Sequence, residues 1–316
     1  MYILEILAGL TLLIIGGRWL INSTGRLAVA LRVPTLVVSL VLLAYGSSSP
    51  EIAVSLSAAL RGANEIVIGN VVGSNIINIA LILGIGALIH PLKAHYVLLR
   101  REMPLLLIVT GLMVVALLDN HLSRWEGMIA LVGGIGYTTF LVLSALKERK
   151  TRYANPGEVV GSGKKRSWKT HMLVALVSLA AMIYGADLFV KGAIVLSERL
   201  GASPLLIGIT VVAIGTSLPE LVTTVFAASK KEDDIVIGNV VGSNIFNILI
   251  VLGITAVVSP VTVVVGAESL WGDLAMMSPV AVGFVALISL GKHTISRIQG
   301  GIFLALYIGY TAYLLW

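Results

Sequence analysis

Gly46-Ser47-Ser48-Ser49-Pro50-Glu51 opens a stretch that the chain writes a second time, as Gly215-Thr216-Ser217-Leu218-Pro219-Glu220. The first copy runs on through Ile66-Val67-Ile68-Gly69-Asn70-Val71-Val72-Gly73-Ser74-Asn75-Ile76-Ile77-Asn78-Ile79 to Pro91. The second runs through Ile235-Val236-Ile237-Gly238-Asn239-Val240-Val241-Gly242-Ser243-Asn244-Ile245-Phe246-Asn247-Ile248 to Pro260. The offset is 169 throughout, with no gap, and Ile66–Ile76 is identical to Ile235–Ile245. Each copy sets a carboxylate, hydroxyls and amides inside apolar sequence.

The surroundings say what that means. The chain is 57% hydrophobic and 12% charged with a mean hydropathy of +0.99, against about a quarter charged residues in soluble proteins. Apolar runs of about twenty residues recur along its length, the requirement for a helix that crosses a bilayer. Such runs are too long for barrel strands, so the expectation is an all-α membrane protein. The first run, Ile3 to Ile21, has no basic start and no small-residue cleavage site, and reads as a span rather than a signal peptide. Zero cysteines excludes disulfides and thiolate chemistry. The net charge of +6 is no sign of a nucleic-acid partner, because basic residues in membrane proteins chiefly set orientation.

Ten spans are expected, at about 3–21, 33–60, 66–89, 98–118, 125–146, 171–190, 203–229, 235–258, 274–291 and 298–316. The polar segment 147–170, with Pro156, Gly157, Gly161 and Gly163, reads as a linker between a first repeat, 1–146, and a second, 171–316. With the N-terminus outside, 17 of the 22 basic residues fall in inside loops, eight of them in the linker. The positive-inside rule then puts both termini outside and the linker in the cytoplasm. Five spans per half is odd, so homologous halves must be inverted. Arg124-x-x-Gly127 leading to Gly136-Tyr137-Thr138 is echoed by Arg297-x-x-Gly300 leading to Gly309-Tyr310-Thr311. Inverted repeats with broken helices at the midplane are a transporter architecture. A duplicated inert scaffold would not make its most similar segments its most polar ones.

Pro50 and Pro219 each remove a backbone donor and crowd the carbonyl four residues back, at Gly46 and Gly215. The helices are expected to break there and to free carbonyls around Ala44–Ser47 and Ala213–Thr216, which hydrocarbon cannot satisfy. A second interruption is expected at each Gly-Asn-x-x-Gly-Ser, with Gly73 and Gly242 permitting close helix approach. Ser74 and Asn78, like Ser243 and Asn247, are four apart and share a helical face. Glu51 and Glu220 are ionisable groups at membrane depth, which are costly and therefore functional by default. Two carboxylates with hydroxyls and freed carbonyls form an all-oxygen cage. Such a cage suits Ca²⁺ better than Mg²⁺, and without Cys or His it does not suit zinc or copper.

The paired motif, Gly-Thr-Ser-Leu-Pro-Glu followed by Gly-Asn-x-x-Gly-Ser-Asn-x-x-Asn, resembles the alpha-repeat of the cation/calcium exchanger superfamily, in particular its prokaryotic sodium/calcium exchangers. The resemblance covers the whole chain. It implies Ca²⁺ ligation by Glu51 and Glu220 with the carbonyls of Ser47 and Thr216. It implies flanking Na⁺ sites at Ser48, Ser74, Ser217, Ser243 and the carbonyls of Ala44 and Ala213, with Asn78 and Asn247 completing the centre. The first copy departs from the pattern, reading Gly-Ser-Ser-Ser-Pro-Glu, with Ser47 and Ser49 where Thr and Leu are usual. Asn247 stands where potassium-dependent relatives carry Asp, which argues against K⁺ co-transport. Proton-coupled relatives carry Gly-Asn-Ala-x-Glu, which favours Na⁺ coupling here.

The resulting expectation is a plasma-membrane antiporter exchanging Ca²⁺ for Na⁺, with these ions as cargo. It is not an enzyme, and has no cofactor and no obligatory protein partner. H⁺/Ca²⁺ exchange and a cation channel are the alternatives; an intramembrane hydrolase using Ser48 or Ser217 lacks a placed base. Asp187 is expected to meet Lys191 one turn on. The five histidines are expected at span ends, and Lys231-Glu232-Asp233-Asp234 as a solvated turn.

Overall fold

The computed structural model describes residues 2–153, 168–199, 213–262, 268–291 and 293–314. Most of the expected linker, and the first ten residues of the span expected at 203–229, lie outside them. The described elements are helices joined by short turns, with four two-residue strands. Six helices are long and apolar enough to cross a membrane: Tyr2–Leu31, Ile66–Ile89, Arg124–Lys147, Trp168–Leu196, Asp233–Val258 and Gly272–Leu290. The pair Thr35–Ser47 and Ser49–Leu60, bent by 41°, meets the same length and composition taken together. The remaining expected spans correspond to shorter pieces. These are Leu98–Glu102 with Met103–Ala116, Ala213–Thr216 with Leu218–Ser229, and the 18-residue helix Arg297–Leu314. The chain is an α-helical, multi-pass membrane protein.

The sequence offset reappears as geometry. Helix α1 (Ser49–Leu60) and helix α2 (Leu218–Ser229) have bounds 169 apart, and each begins beside a proline. The residues that precede them, Ser48 (φ −84, ψ 12) and Ser217 (φ −91, ψ 9), leave the helical region in the same way. The breaks therefore sit where proline dictates, two residues before it. Helix α3 (Asn64–Ile76) and helix α4 (Asp233–Phe246) carry the two Gly-Asn-x-x-Gly-Ser segments.

Contacts then run crosswise between the halves. Strand β1 (Leu92–Lys93) pairs with β4 (Thr294–Ile295), and β2 (His121–Leu122) with β3 (Val261–Thr262). A Cβ on Gly300 would lie 2.8 Å from the Gly84 carbonyl oxygen, and one on Gly127 would lie 3.0 Å from that of Gly253. Only glycine admits backbones so close, and Gly84 and Gly253 are again 169 apart. Tyr137 donates to the buried Glu102 carboxylate and Tyr310 to Asp273, at 2.5 Å in the second case. These are the two echoed Gly-Tyr-Thr segments at work.

Three expectations are corrected. Helix α3 and helix α4 run unbroken through Gly-Asn-x-x-Gly-Ser; the irregularity comes one turn later, as π-helical stretches at Ile77–Leu83 and Asn247–Val251. Close approach is seen at Gly242, where a Cβ would meet Ala44 Cβ at 2.8 Å, but nothing among the described residues comes within 4 Å at Gly73. The turn at Glu232–Asp234 is not merely solvated: Asp233 accepts from the Lys93 backbone N–H at 3.1 Å and faces His90. Lys191 does bond Asp187, at 2.6 Å.

Candidate functional site

The site is assembled at the two helix breaks. Glu51 and Glu220 sit in the first turns of α1 and α2, and both are buried, at 1% and 0% exposure. Their partners come from across the molecule. Ser48 Oγ donates to Glu220 Oε1 at 3.1 Å, and Ser217 Oγ faces Glu51 Oε1 at 3.4 Å. Each acid is thus met by the hydroxyl at the other helix's break. Ser243 adds a contact to Glu220 at 3.5 Å, and Ser74 faces Glu51. Ser47, Ser48, Ser74, Ser217, Ser243, Asn78 and Asn247 are all at most 2% exposed, and Thr216 is 9% exposed.

The freed carbonyls need a correction too. Ala44 O accepts from Ser48 N at 3.2 Å, Leu43 O takes the Ser47 hydroxyl at 2.8 Å, and Tyr45 O takes that of Ser49 at 3.1 Å. The hydroxyls of Ser47 and Ser49 thus add donors to carbonyls of the turn before the break. A carbonyl oxygen keeps a second lone pair after accepting one bond, so these groups can still face a cation. Ala213 opens the helix Ala213–Thr216; its side chain is outside the description.

The two π-helical stretches carry Asn78 and Asn247. Such widened turns recur at functional sites. Asn247 donates to Asn75 Oδ1 at 3.2 Å. Asn75 and its equivalent Asn244 stand inside the repeated stretch, where the sequence alone does not set them apart as site residues. Among the described residues, Glu51 Oε2, Glu220 Oε2, Asn247 Oδ1 and both polar atoms of Asn78 have no hydrogen-bond partner. Burying even a neutral polar group unpaired costs about 1–3 kcal/mol, and a charged one more. Two of these atoms, on Glu51 and Glu220, lie at the crossed helix breaks, which points to a ligand there rather than to poor packing. The donor set is wholly oxygen and amide, with two carboxylates. Among the described residues no group of three or more His, Cys, Asp or Glu could hold a metal, so hydroxyl and carbonyl oxygens would have to complete any ion's coordination.

Fold and site together define a multi-pass membrane protein with paired buried carboxylates at helix breaks. Residues 1–143 and 170–316 match the family described as sodium/calcium exchanger protein. The chain is 33% identical over 344 residues to the sodium/calcium exchanger MaX1 of Methanosarcina acetivorans, covering 97% of this chain and 96% of that one. It is 36% identical over 257 residues to the inner membrane protein YrbG of Escherichia coli, covering 81% and 79%. A solved structure of the sodium-calcium exchanger NCX_Mj, soaked with Na⁺ and Sr²⁺, superposes with a TM-score of 0.84 at 30% identity, over 98% of this chain and 97% of that one. The chain belongs to the sodium/calcium exchanger family, of the prokaryotic type.

Proposed function

We propose that this protein is a secondary antiporter that exchanges Ca²⁺ for Na⁺ by alternating access. The observation that carries the reading is the crosswise arrangement of Glu51 with Ser217 and of Glu220 with Ser48. It makes one shared oxygen cage out of two halves of the chain. Glu51, Glu220 and the carbonyls of Ser47 and Thr216 hold Ca²⁺. Ser48, Ser74, Ser217, Ser243 and the carbonyls of Ala44 and Ala213 serve Na⁺, and Asn78 and Asn247 complete the centre. Two empty ionised glutamates are too costly to occlude. Only a cage neutralised by one Ca²⁺ or by several Na⁺ can close and switch, and this couples the two fluxes.

The same reading has ten spans in two inverted repeats, 1–146 and 171–316, joined by a cytoplasmic linker at 147–170. Both termini lie outside the plasma membrane. The matched breaks, the crosswise strand pairs and the matched Gly84–Gly300 and Gly253–Gly127 approaches support two equivalent units. The protein works without a cofactor, a catalysed reaction or an obligatory protein partner. The names of MaX1 and NCX_Mj, both sodium/calcium exchangers, support Na⁺ as the counter-ion.

The deciding experiment is ⁴⁵Ca²⁺ uptake into proteoliposomes loaded with Na⁺, with K⁺ or with a pH step. Uptake driven by the Na⁺ gradient alone is expected. Uptake driven by the pH step instead would make the protein a proton exchanger, and uptake without any counter-ion would make it a channel.

A further inference from the structure

The two halves carry the same residues in different arrangements at one point outside the ion cage. Asn70 and Asn239 are equivalent, 169 apart. Asn70 Nδ2 spends both its protons on α1 of its own half, donating to Ser55 Oγ at 2.8 Å and to the Glu51 carbonyl at 3.1 Å. Asn239, at 0% exposure, does neither. Its Oδ1 faces Ser47 Oγ of the other half at 3.4 Å, and its Nδ2 has no partner among the described residues. The hydroxyls of Thr223 and Thr224 are also buried without a partner there, and Thr224 is the equivalent of Ser55.

Chemistry does not explain the difference. Serine and threonine offer the same hydroxyl, and both halves have a glutamate carbonyl in the same register. The Ser47 proton is already committed to Leu43 O at 2.8 Å. A hydroxyl has only one proton to give, so the Asn239 amide gains by turning over and donating to Ser47 Oγ. In either orientation it reaches across to the opposite half, and the donor–acceptor set on α2 is left open. Equal parts are thus caught in unequal states.

Resting on the antiport reading with two inverted repeats, we infer that Asn70 and Asn239 are a pair of amide latches that exchange roles when the site changes face. In the arrangement seen, Asn70 is fastened to α1 and Asn239 is crossed over. In the opposite one, Asn239 is fastened to Thr224 Oγ1 and the Glu220 carbonyl, and Asn70 crosses to Thr216, the equivalent of Ser47. Both are positioning residues, since they act through the turn that carries each glutamate and touch no ion in either state. Exchanging like bonds keeps the two states close in free energy, which a two-way transporter requires.

Right-side-out and inside-out vesicles give the apparent Ca²⁺ KM on each face for the wild type, Asn70→Ala, Asn239→Ala and the double variant. Each single change deletes two bonds in one state and one in the other, so the ratio of the two KM values is expected to move about fivefold, the scale of one net hydrogen bond. The two changes move it in opposite directions, and the double variant returns it toward the wild-type ratio. A purely structural role would weaken transport on both faces alike. An unmoved ratio, or shifts of the same sign, would overturn the latch. Where an alanine variant does not assemble, Ser55→Ala and Thr224→Val put the same question to the acceptors. Wild-type vesicles without Na⁺-driven uptake would sink the antiport reading itself; wild-type exchange with unmoved ratios in the variants sinks only the latch.

Discussion

Glu220→Gln is the sharpest test of the cage. The substitution keeps an acceptor where Ser48 donates at 3.1 Å and Ser243 sits at 3.5 Å, so the local packing survives. It places an amide where Oε2 has no protein partner, at a cost of about 1–3 kcal/mol for an unsatisfied buried donor. The loss on Ca²⁺ is larger. A carboxylate oxygen about 2.5 Å from a divalent ion is worth about 13 kcal/mol at an effective dielectric of 20. Several kcal/mol of that offset the desolvation of the carboxylate. What remains is several kcal/mol, and about 4 already amounts to a thousandfold in affinity. The expected outcome is a folded protein, shown by a thermal unfolding transition within a few degrees of wild type, whose Na⁺-driven ⁴⁵Ca²⁺ uptake is lost at millimolar Ca²⁺. Glu51→Gln should behave alike. Uptake within twofold of wild type in a Glu220→Gln protein would refute the cage, whatever the family membership.

The neighbouring hydroxyls should follow in proportion. Ser48→Ala and Ser217→Ala each remove one donor to the opposite carboxylate, and hydrogen bonds to charged groups carry about 1.5–3 kcal/mol. Apparent ion affinity should fall by about ten- to a hundredfold in uptake assays, with exchange retained at high ion. Packing gives a control without ion chemistry. Gly300→Ala drives a Cβ to 2.8 Å from the Gly84 carbonyl oxygen and should lower stability by about 1–3 kcal/mol, whereas Gly283→Ala, with nothing within 4 Å among the described residues, should not; detergent unfolding midpoints decide it. If three Na⁺ move against one Ca²⁺, one net charge crosses per cycle, worth about 2.3 kcal/mol per 100 mV. A K⁺ diffusion potential of about that size should then shift the equilibrium Ca²⁺ gradient about fiftyfold, and an unchanged gradient would exclude that stoichiometry.

The parts of this fold legible in the sequence are those set by local chemistry. Pro50 and Pro219 cannot donate, so the breaks at Ser48 and Ser217 follow from their positions alone. Glu51 and Glu220 announce the site because an acid at membrane depth has few uses. The π-helical turns that carry Asn78 and Asn247 are not legible in the sequence, since no residue type demands them. Each Gly-Asn-x-x-Gly-Ser reads in the sequence as an interruption, but the helix continues through it. The cost of a glycine, about 1 kcal/mol, is outweighed by the burial of Val67, Ile68, Val71 and Val72 on a continuous helix. The Tyr137–Glu102 and Tyr310–Asp273 bonds, and the seat of Asp233 on the Lys93 backbone, join residues 35 to 140 positions apart. Offset arithmetic could pair the tyrosines with each other but could not supply their partners.

The crosswise contacts also constrain where motion can occur. Pulling the two breaks apart would strip Ser217 from Glu51 and Ser48 from Glu220 together, leaving each buried acid only the serine of its own half, Ser74 or Ser243. Under the proposed alternating access, the change of face is then expected in another element. The helix Tyr2–Leu31 packs along Trp168–Arg199 with Gly9 against Gly185 and Gly16 against Met182, and neither helix contributes a site residue. Its contact with the helix that carries Glu220 is different: a Cβ on Gly17 would lie 2.6 Å from Val222 Cγ1 on α2. A sliding motion of the two long helices as a unit would break the second contact and keep the first. The chain has no cysteine, so engineered pairs report cleanly. A Gly17→Cys, Val222→Cys pair, close enough for bridge geometry, should stop Na⁺-driven uptake when oxidised and release it on reduction. A Gly16→Cys, Met182→Cys pair should bridge without stopping it. Full exchange by the oxidised 17–222 protein would show that these helices do not slide against the site, and the moving element would have to be sought within the core itself.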